Sequence, residues 1–373
     1  MNISKLLYIK EVNSSLDRRR FIQFPLGLYK DDPFYSPQLL IDLKGHFSQK
    51  NPFLRHNKVK FFLAIKERDI IGRIVSIINY DHIRFHNEKT GFFGFFECVN
   101  DNQVASALLD RVSEELKKEG LETLRGPMNF STNEECGFLY EGFNFPPMLM
   151  TPYNKPYYND LMDACGMVGS KDLYAFIYEL KDELPEKVWR VASIAEKRGI
   201  KVRTVKKENF LSDMKLFQDI YNSAWSKNWG FIPLRDDELI YSAKRLKPIA
   251  DFDLIFIAEK DGNPIGFLGL IPDFNLVLRK MAGRLNPLTI FKALYFKNKI
   301  KGLRLLLYGI KEEYRNKGVD ALMFLKGREN VLKKRYSHIE FSWILEDNKA
   351  VINMCELFGA RLYKKYRIYE KKI

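Results

Sequence analysis

Residues 305–321, LLLYGIKEEYRNKGVDA, place an apolar run ahead of a basic turn that contains a glycine. The run predicts a strand that reaches Ile310. The turn is Tyr314-Arg315-Asn316-Lys317-Gly318. Val319, Leu322, Met323 and Leu325 then recur as one side of a helix. Where a helix begins, several backbone N–H groups lack partners and point the same way. Such a turn can hold phosphate oxygens, helped by the positive end of the helix dipole. Arg315 and Lys317 would add positive charge. The same residues would also make an ordinary surface turn into a helix.

The chain around this stretch has 373 residues, enough for two domains of ordinary size. Hydrophobic residues are 46% of it and aromatic residues 14%, which excludes a disordered protein. A net charge of +14 suits anionic partners such as phosphate-bearing cofactors, nucleic acid or a lipid surface, without choosing among them. No zinc finger or other familiar nucleic-acid module is visible. Cys98, Cys136, Cys165 and Cys355 are widely spaced, with no CxxC pair, so neither a metal site nor a disulfide framework is expected. The start, MNISKLLYIKEV, has no secretion signal, and no apolar run approaches membrane-spanning length. A cytoplasmic protein is the expectation.

The elements that must position the turn can be read in order. Residues 16–28 predict a helix that Pro25 would bend or end. Residues 59–66 and 70–78 form a hairpin, 91–98 a third strand, 100–118 a helix and 121–126 a further strand. Asn133 is expected to cap a short helix containing Glu134 and Glu135 and ending at Gly142. Residues 172–180 predict the strand that closes the first half, and 181–199 a connecting helix. The second half repeats the order. Residues 202–205 begin a strand, Asn209 caps a helix over 210–225, and 236–246 form another. A hairpin covers 254–259 and 265–271. Then come the strand at 302–310, the glycine turn with its helix, a strand at 337–344, a helix led by Asn348 and ended by Gly359, and a last strand at 361–369. The pattern predicts mixed, largely antiparallel α/β sheets flanked by helices, in two related modules.

The second half resembles the GNAT superfamily, the GCN5-related acyl-CoA N-acyltransferases. The family loop, Arg/Gln-x-x-Gly-x-Gly/Ala, is matched by Arg315-Asn316-Lys317-Gly318-Val319-Asp320. Asn348 and the helix ending at Gly359 also match. The resemblance covers residues 202–373, and the first half looks like a diverged copy, so the whole chain resembles a tandem GNAT protein. It implies a diverged domain over 1–180, a connecting helix over 181–200, and an acyl-CoA-binding domain over 201–373. Two positions depart from the family. Asp320 stands where the loop ends in glycine or alanine. Cys355 stands where many members carry a tyrosine as general acid. The first half has Cys98-Val99-Asn100-Asp101-Asn102-Gln103 in place of the glycine loop, so no CoA site is expected there.

What the resemblance implies is transfer of an acyl group, acetyl by default or a longer one, from CoA to a small-molecule or peptide amine, without a metal. Residues 315–320, with Asn348, would hold CoA, and the Ile310 backbone N–H would polarise the thioester carbonyl. Glu340 is the candidate base and Cys355 the candidate acid. His338 and Glu97 have weaker claims, and Tyr308, Trp343 and Tyr366 would contact substrate or pack. The rival is a non-catalytic GNAT-like module that binds CoA, a peptide or a protein. Nucleic acid is not an expected partner. Residues 274–310 carry eight basic side chains and no acidic one. Residues 288–300 have a helical, amphipathic rhythm. This segment, an insertion near 274–301, would grip a CoA phosphate, cover a substrate groove, touch an anionic membrane, or simply face solvent over an apolar packing side.

Overall fold

A computed structural model describes residues 7–180, 183–334 and 336–373. In the first part lie β1 (Tyr8–Glu11), α1 (Ser15–Leu28), α2 (Leu40–His46), α3 (Phe53–His56), β2 (Lys58–Lys66), β3 (Asp69–Ile78), α4 (Tyr80–His86) and β4 (Thr90–Cys98). There follow α5 (Asn102–Lys117), β5 (Thr123–Gly126), β6 (Phe138–Glu141), α6 (Tyr157–Ala164), β7 (Val168–Glu179), α7 (Glu186–Lys197) and β8 (Ile200–Thr204). Next are α8 (Phe210–Ala224), α9 (Asp236–Leu246), β9 (Ile255–Lys260), β10 (Asn263–Pro272), α10 (Asn275–Met281) and α11 (Pro287–Lys297). The chain ends with β11 (Gly302–Ile310), α12 (Val319–Lys333), β12 (His338–Leu345), α13 (Lys349–Leu357) and β13 (Arg361–Lys372).

Two compact units divide these elements. One comprises Met1–Leu173, Asn275–Phe296 and Lys364–Ile373; the other comprises Tyr174–Phe274 and Lys297–Tyr363. In the first, the strand order is β1-β2-β3-β4-β5-β13, with β6 also paired to β13. The hairpin β2–β3 turns at Glu67 and Arg68, both with positive φ, and β4 runs parallel to β5. Val104, Leu108, Leu109, Val112 and Leu116 of α5 recur at helical spacing and bury against Phe62, Ile74 and Phe93 of the sheet.

In the second unit the order is β7-β12-β11-β10-β9-β8. The β8–β9, β9–β10 and β10–β11 pairs are antiparallel, and β11–β12 is parallel. Period-two alternation gives this sheet two covered faces. Phe256, Ala258 and Leu268 join α7, α12 and α13 in one core, whereas Ile255, Ile257 and Phe267 join α8 and α9 in another. The repeat expected from the sequence is present: hairpin, third strand, long helix, then a strand parallel to the third. In both copies that parallel pairing is short. It runs from Thr90↔Thr123 to Phe92↔Arg125 in one, and from Gly302↔His338 to Leu305↔Phe341 in the other.

Several expectations need correction. No helix starts at Asn133; the segment is a set of turns in which Asn133 N–H bonds the Ser131 hydroxyl at 3.2 Å. The place of that helix in the repeat belongs to α6. Pro25 does not end α1, which continues to Leu28, since a proline late in a helix removes only one N–H. Asn209 sits at the start of α8 but its side chain makes no capping bond. The basic segment holds two helices, α10 and α11, and α11 lacks the expected buried apolar side: Thr289 is its one buried residue.

Candidate active site

The site is built on the edge of β11 where β12 leaves it. On its other side β11 keeps the pairs Gly266↔Ile310, Phe267↔Gly309 and Leu268↔Tyr308 with β10. The Lys311 N–H donates to the Ile265 carbonyl at 2.9 Å. Antiparallel ladders alternate bonded and non-bonded pairs, so the peptide groups of Ile310 and Tyr308 face the opposite edge, toward β12. Two side chains take the carbonyls there. Trp225, at the end of α8, donates its indole N–H to the Tyr308 carbonyl at 3.0 Å. Arg315 Nε donates to the Ile310 carbonyl at 3.3 Å. The N–H groups of Tyr308 and Ile310 lie on the same edge and point the same way.

Past β11 the chain makes the glycine turn. Arg315 also donates from Nη2 to the Ala224 carbonyl at 2.6 Å, tying the end of α8 to the end of β11. It is therefore a brace, although exposed, and Lys317 is a second exposed cation of the turn, its Nζ 5.3 Å from the centre of the Tyr314 ring. Asn316 (φ 59°) and Gly318 (φ 82°) are left-handed. Gly318 is required twice over. Besides its φ, a Cβ there would lie 2.7 Å from the Val191 carbonyl oxygen and 2.9 Å from Val191 Cγ1 on α7. No side chain caps α12 from Gly318, so the first-turn amides of Val319, Asp320 and Ala321 receive no acceptor from that position. Val319 is buried and Asp320 half-buried. Asn348 caps α13, its Oδ1 accepting from the Val351 N–H at 3.3 Å.

Glu340, the candidate base, is fully buried on β12. One oxygen accepts from Ser342 Oγ at 2.5 Å and lies 3.8 Å from Arg304 Nε; the other accepts from the Tyr363 hydroxyl. Arg304, 1% exposed, donates to Ser342 Oγ at 2.9 Å and stacks its guanidinium 4.7 Å from the Trp343 ring. A buried charge pair of this kind holds its geometry because each charge is hydrogen-bonded as well as paired. Glu340 is thus enclosed by its partners, and half-buried Tyr363 is the outermost of them. His338, two residues away, bonds Ser337 Oγ at 2.9 Å, and burial lowers its pKa.

Cys355 is also fully buried, in the core shared with α12. Burial pushes its thiol up to about 12. An ordinary thiol titrates near pH 8.5, so Cys355 is a weaker acid than the thiol that protonating a leaving thiolate would give. Tyr308, expected as a contact or packing residue, is half-buried and packs against Phe324, with ring centres 5.9 Å apart. Burial, then Asp320 and Cys355, hold its phenol well above the usual range.

In the first unit Glu97 accepts from the hydroxyls of Tyr29 and Tyr158, both at 2.7 Å, and Arg73 lies 3.6 Å away. Burial raises its pKa against the opposing pull of Arg73. The helix after this strand is closed where α12 is open: the Asp101 carboxylate caps α5, accepting from Gln103 N–H at 2.9 Å. Sequence reasoning missed Trp225 as a carbonyl donor, and Arg304, Ser342 and Tyr363 as partners of Glu340. The lone Arg304 in an otherwise apolar strand was the available signal.

No model of a known protein family matches the sequence. The chain is similar to "Protein YghO" of Escherichia coli (strain K12), 34% identical over 96% of this chain and 93% of that protein. It is similar to "Bacterial ceramide synthase" of Caulobacter vibrioides (strain NA1000 / CB15N), 30% identical over 98% of both. Among solved structures, a tandem GNAT protein from the clavulanic acid biosynthesis pathway superposes with a TM-score of 0.57, covering 98% of each chain at 13% identity. The chain belongs to the family of protein YghO and bacterial ceramide synthase, and its fold is that of a tandem GNAT protein.

Proposed function

We propose that the protein transfers a long acyl chain from CoA to the amine of a lipid-like acceptor, such as a sphingoid base. The observation that carries acyl transfer is the edge of β11. Its Tyr308 and Ile310 carbonyls are bonded by Trp225 and Arg315, and its N–H groups are aimed where β12 has left the sheet. An acyl thioester lying there would receive the Ile310 N–H on its carbonyl oxygen, where negative charge grows in the transition state. The uncapped start of α12, with Lys317, would receive the pyrophosphate of CoA. Gly318, Asn316 and Val319 shape that turn, and Arg315 fixes it to α8. Asp320 and Asn348 act by shaping the starts of α12 and α13, without touching CoA.

In the reaction the amine nitrogen bonds to the thioester carbon, the carbon–sulfur bond breaks, and the thiolate leaves. The amine gives up a proton and the thiolate accepts one, so the exchange balances without an external acid. Tyr363, bonded to Glu340, is the residue we assign to passing the amine proton inward. Cys355 has no part in it.

The long chain and the lipid-like acceptor rest on the relative named ceramide synthase, since a ceramide is an N-acylated sphingoid base. The acetyl donor expected by default is therefore replaced by a longer one. Release of free CoA, measured with acetyl-, octanoyl- and palmitoyl-CoA in the presence of sphinganine, tests this. Turnover that rises with chain length supports it. Turnover with acetyl-CoA alone contradicts the long donor, and binding without turnover contradicts catalysis.

A further inference from the structure

The segment between β10 and β11 ends in a helix that the protein leaves uncovered. At its base α10 is anchored: the Asn275 amide donates to the Pro147 carbonyl at 2.9 Å, and the Leu40 N–H to the Gly283 carbonyl at 2.9 Å. Asn286 and Thr289 then start α11 by reciprocal bonds, Thr289 N–H to Asn286 Oδ1 at 3.0 Å and Asn286 N–H to Thr289 Oγ1 at 2.9 Å. The helix is therefore well formed at its start. Beyond it, Leu288, Ile290, Phe291, Leu294 and Tyr295 are 45–71% exposed, and Leu285 just before them is 52% exposed. A helix this apolar is ordinarily buried in a core or in lipid.

Its charge identifies the occupant. Lys280, Arg284, Lys292 and Lys297 are exposed around the same helix, and no acidic residue occurs between positions 274 and 310. Exposed apolar side chains ringed by cations complement an anionic bilayer surface, where aliphatic and aromatic groups enter the acyl boundary and cations meet phosphates. At 11 residues α11 is too short to span, and among the described residues no helix is long and apolar enough to cross a membrane. We propose that α11 lies in the interface of an anionic lipid membrane and docks the protein there. The proposal stands whether or not the protein acts on CoA, because it uses none of the residues at the β11 edge.

Co-sedimentation of the full chain with vesicles tests it, using phosphatidylcholine alone and an equal mixture of phosphatidylcholine and phosphatidylglycerol. The parent is expected to pellet with the mixed vesicles and much less with phosphatidylcholine. Phe291→Ser with Leu294→Ser should weaken binding about tenfold or more, as expected from removing two large apolar groups from the lipid boundary. Arg284→Glu with Lys292→Glu should abolish the preference for the anionic lipid. Both pairs are exposed, so the melting temperature should stay unchanged. A parent that pellets with neither vesicle, or a Phe291→Ser, Leu294→Ser variant that binds as well as the parent, overturns the proposal. So does sedimentation velocity showing a parent dimer, indifferent to lipid, that the same variant dissociates, since α11 would then be covered by a second copy.

Discussion

The Trp225 indole N–H meets the Tyr308 carbonyl at 3.0 Å, on the edge of β11 that β12 has abandoned. It joins the end of α8 to the strand that would hold the thioester. Trp225→Phe keeps an aromatic ring and removes the donor. A lost hydrogen bond of this kind should cost about 1 kcal/mol of stability. If the carbonyl's neighbour N–H groups position the acyl carbonyl, kcat/KM should fall about three- to tenfold. Unchanged kinetics with lowered stability would make Trp225 purely structural.

Gly318 combines a φ of 82° with a 2.7 Å approach to the Val191 carbonyl. Gly318→Ala should destabilise the chain by about 1–3 kcal/mol in urea unfolding. It should also weaken CoA by shifting the turn. The paired change with Val191→Ala, which trims Val191 Cγ1, should recover little, because the backbone oxygen remains.

The Cys355 thiol, pushed up to about 12, stays protonated throughout the physiological range. Below the unfolded thiol pKa, near 8.5, both states hold the proton and pH has no effect through this group. Between there and about 12 the unfolded chain loses its proton first, so stability falls as pH rises by up to about 1.4 kcal/mol per unit. Cys355→Ala should flatten that decline in denaturant titrations. It should leave the pH profile of turnover between pH 7 and 9 unchanged; loss of an activity limb would restore Cys355 as the acid.

Glu340 and Arg304 are a buried pair on adjacent strands in register. Removing one partner should cost about 3–5 kcal/mol, since the other charge is left buried. Glu340→Gln with Arg304→Met should cost less than the sum of the single changes. Tyr363→Phe should lower kcat with little change in stability if the hydroxyl passes the amine proton. An equal loss of stability and no kinetic effect would argue otherwise.

Much of this was legible in the residues. Period-two runs marked both hairpins, the second with an Asp261-Gly262 turn between its strands, and α12 followed a basic glycine turn after an apolar strand. The Asn133 helix was misread because a capping pattern is local, whereas this segment is held by long-range pairing of β6 with β13. Arg315 was read as a phosphate ligand, but a long side chain's partner depends on which helix end the fold brings near, here Ala224. Glu340 was visible as an acid in a strand. Its partner Tyr363 lies across a sheet order that the sequence does not state. The exposure of α11 was hidden because helical rhythm does not say which side the protein covers.

Calorimetric titration with CoA tests the central claim, that the β11 edge and the open start of α12 form a CoA-thioester site. The parent should bind CoA with one site per chain, and Lys317→Glu, an exposed change beside the uncapped amides, should weaken it about tenfold. No heat of binding with the folded parent, or equal affinity in the variant, would contradict the account.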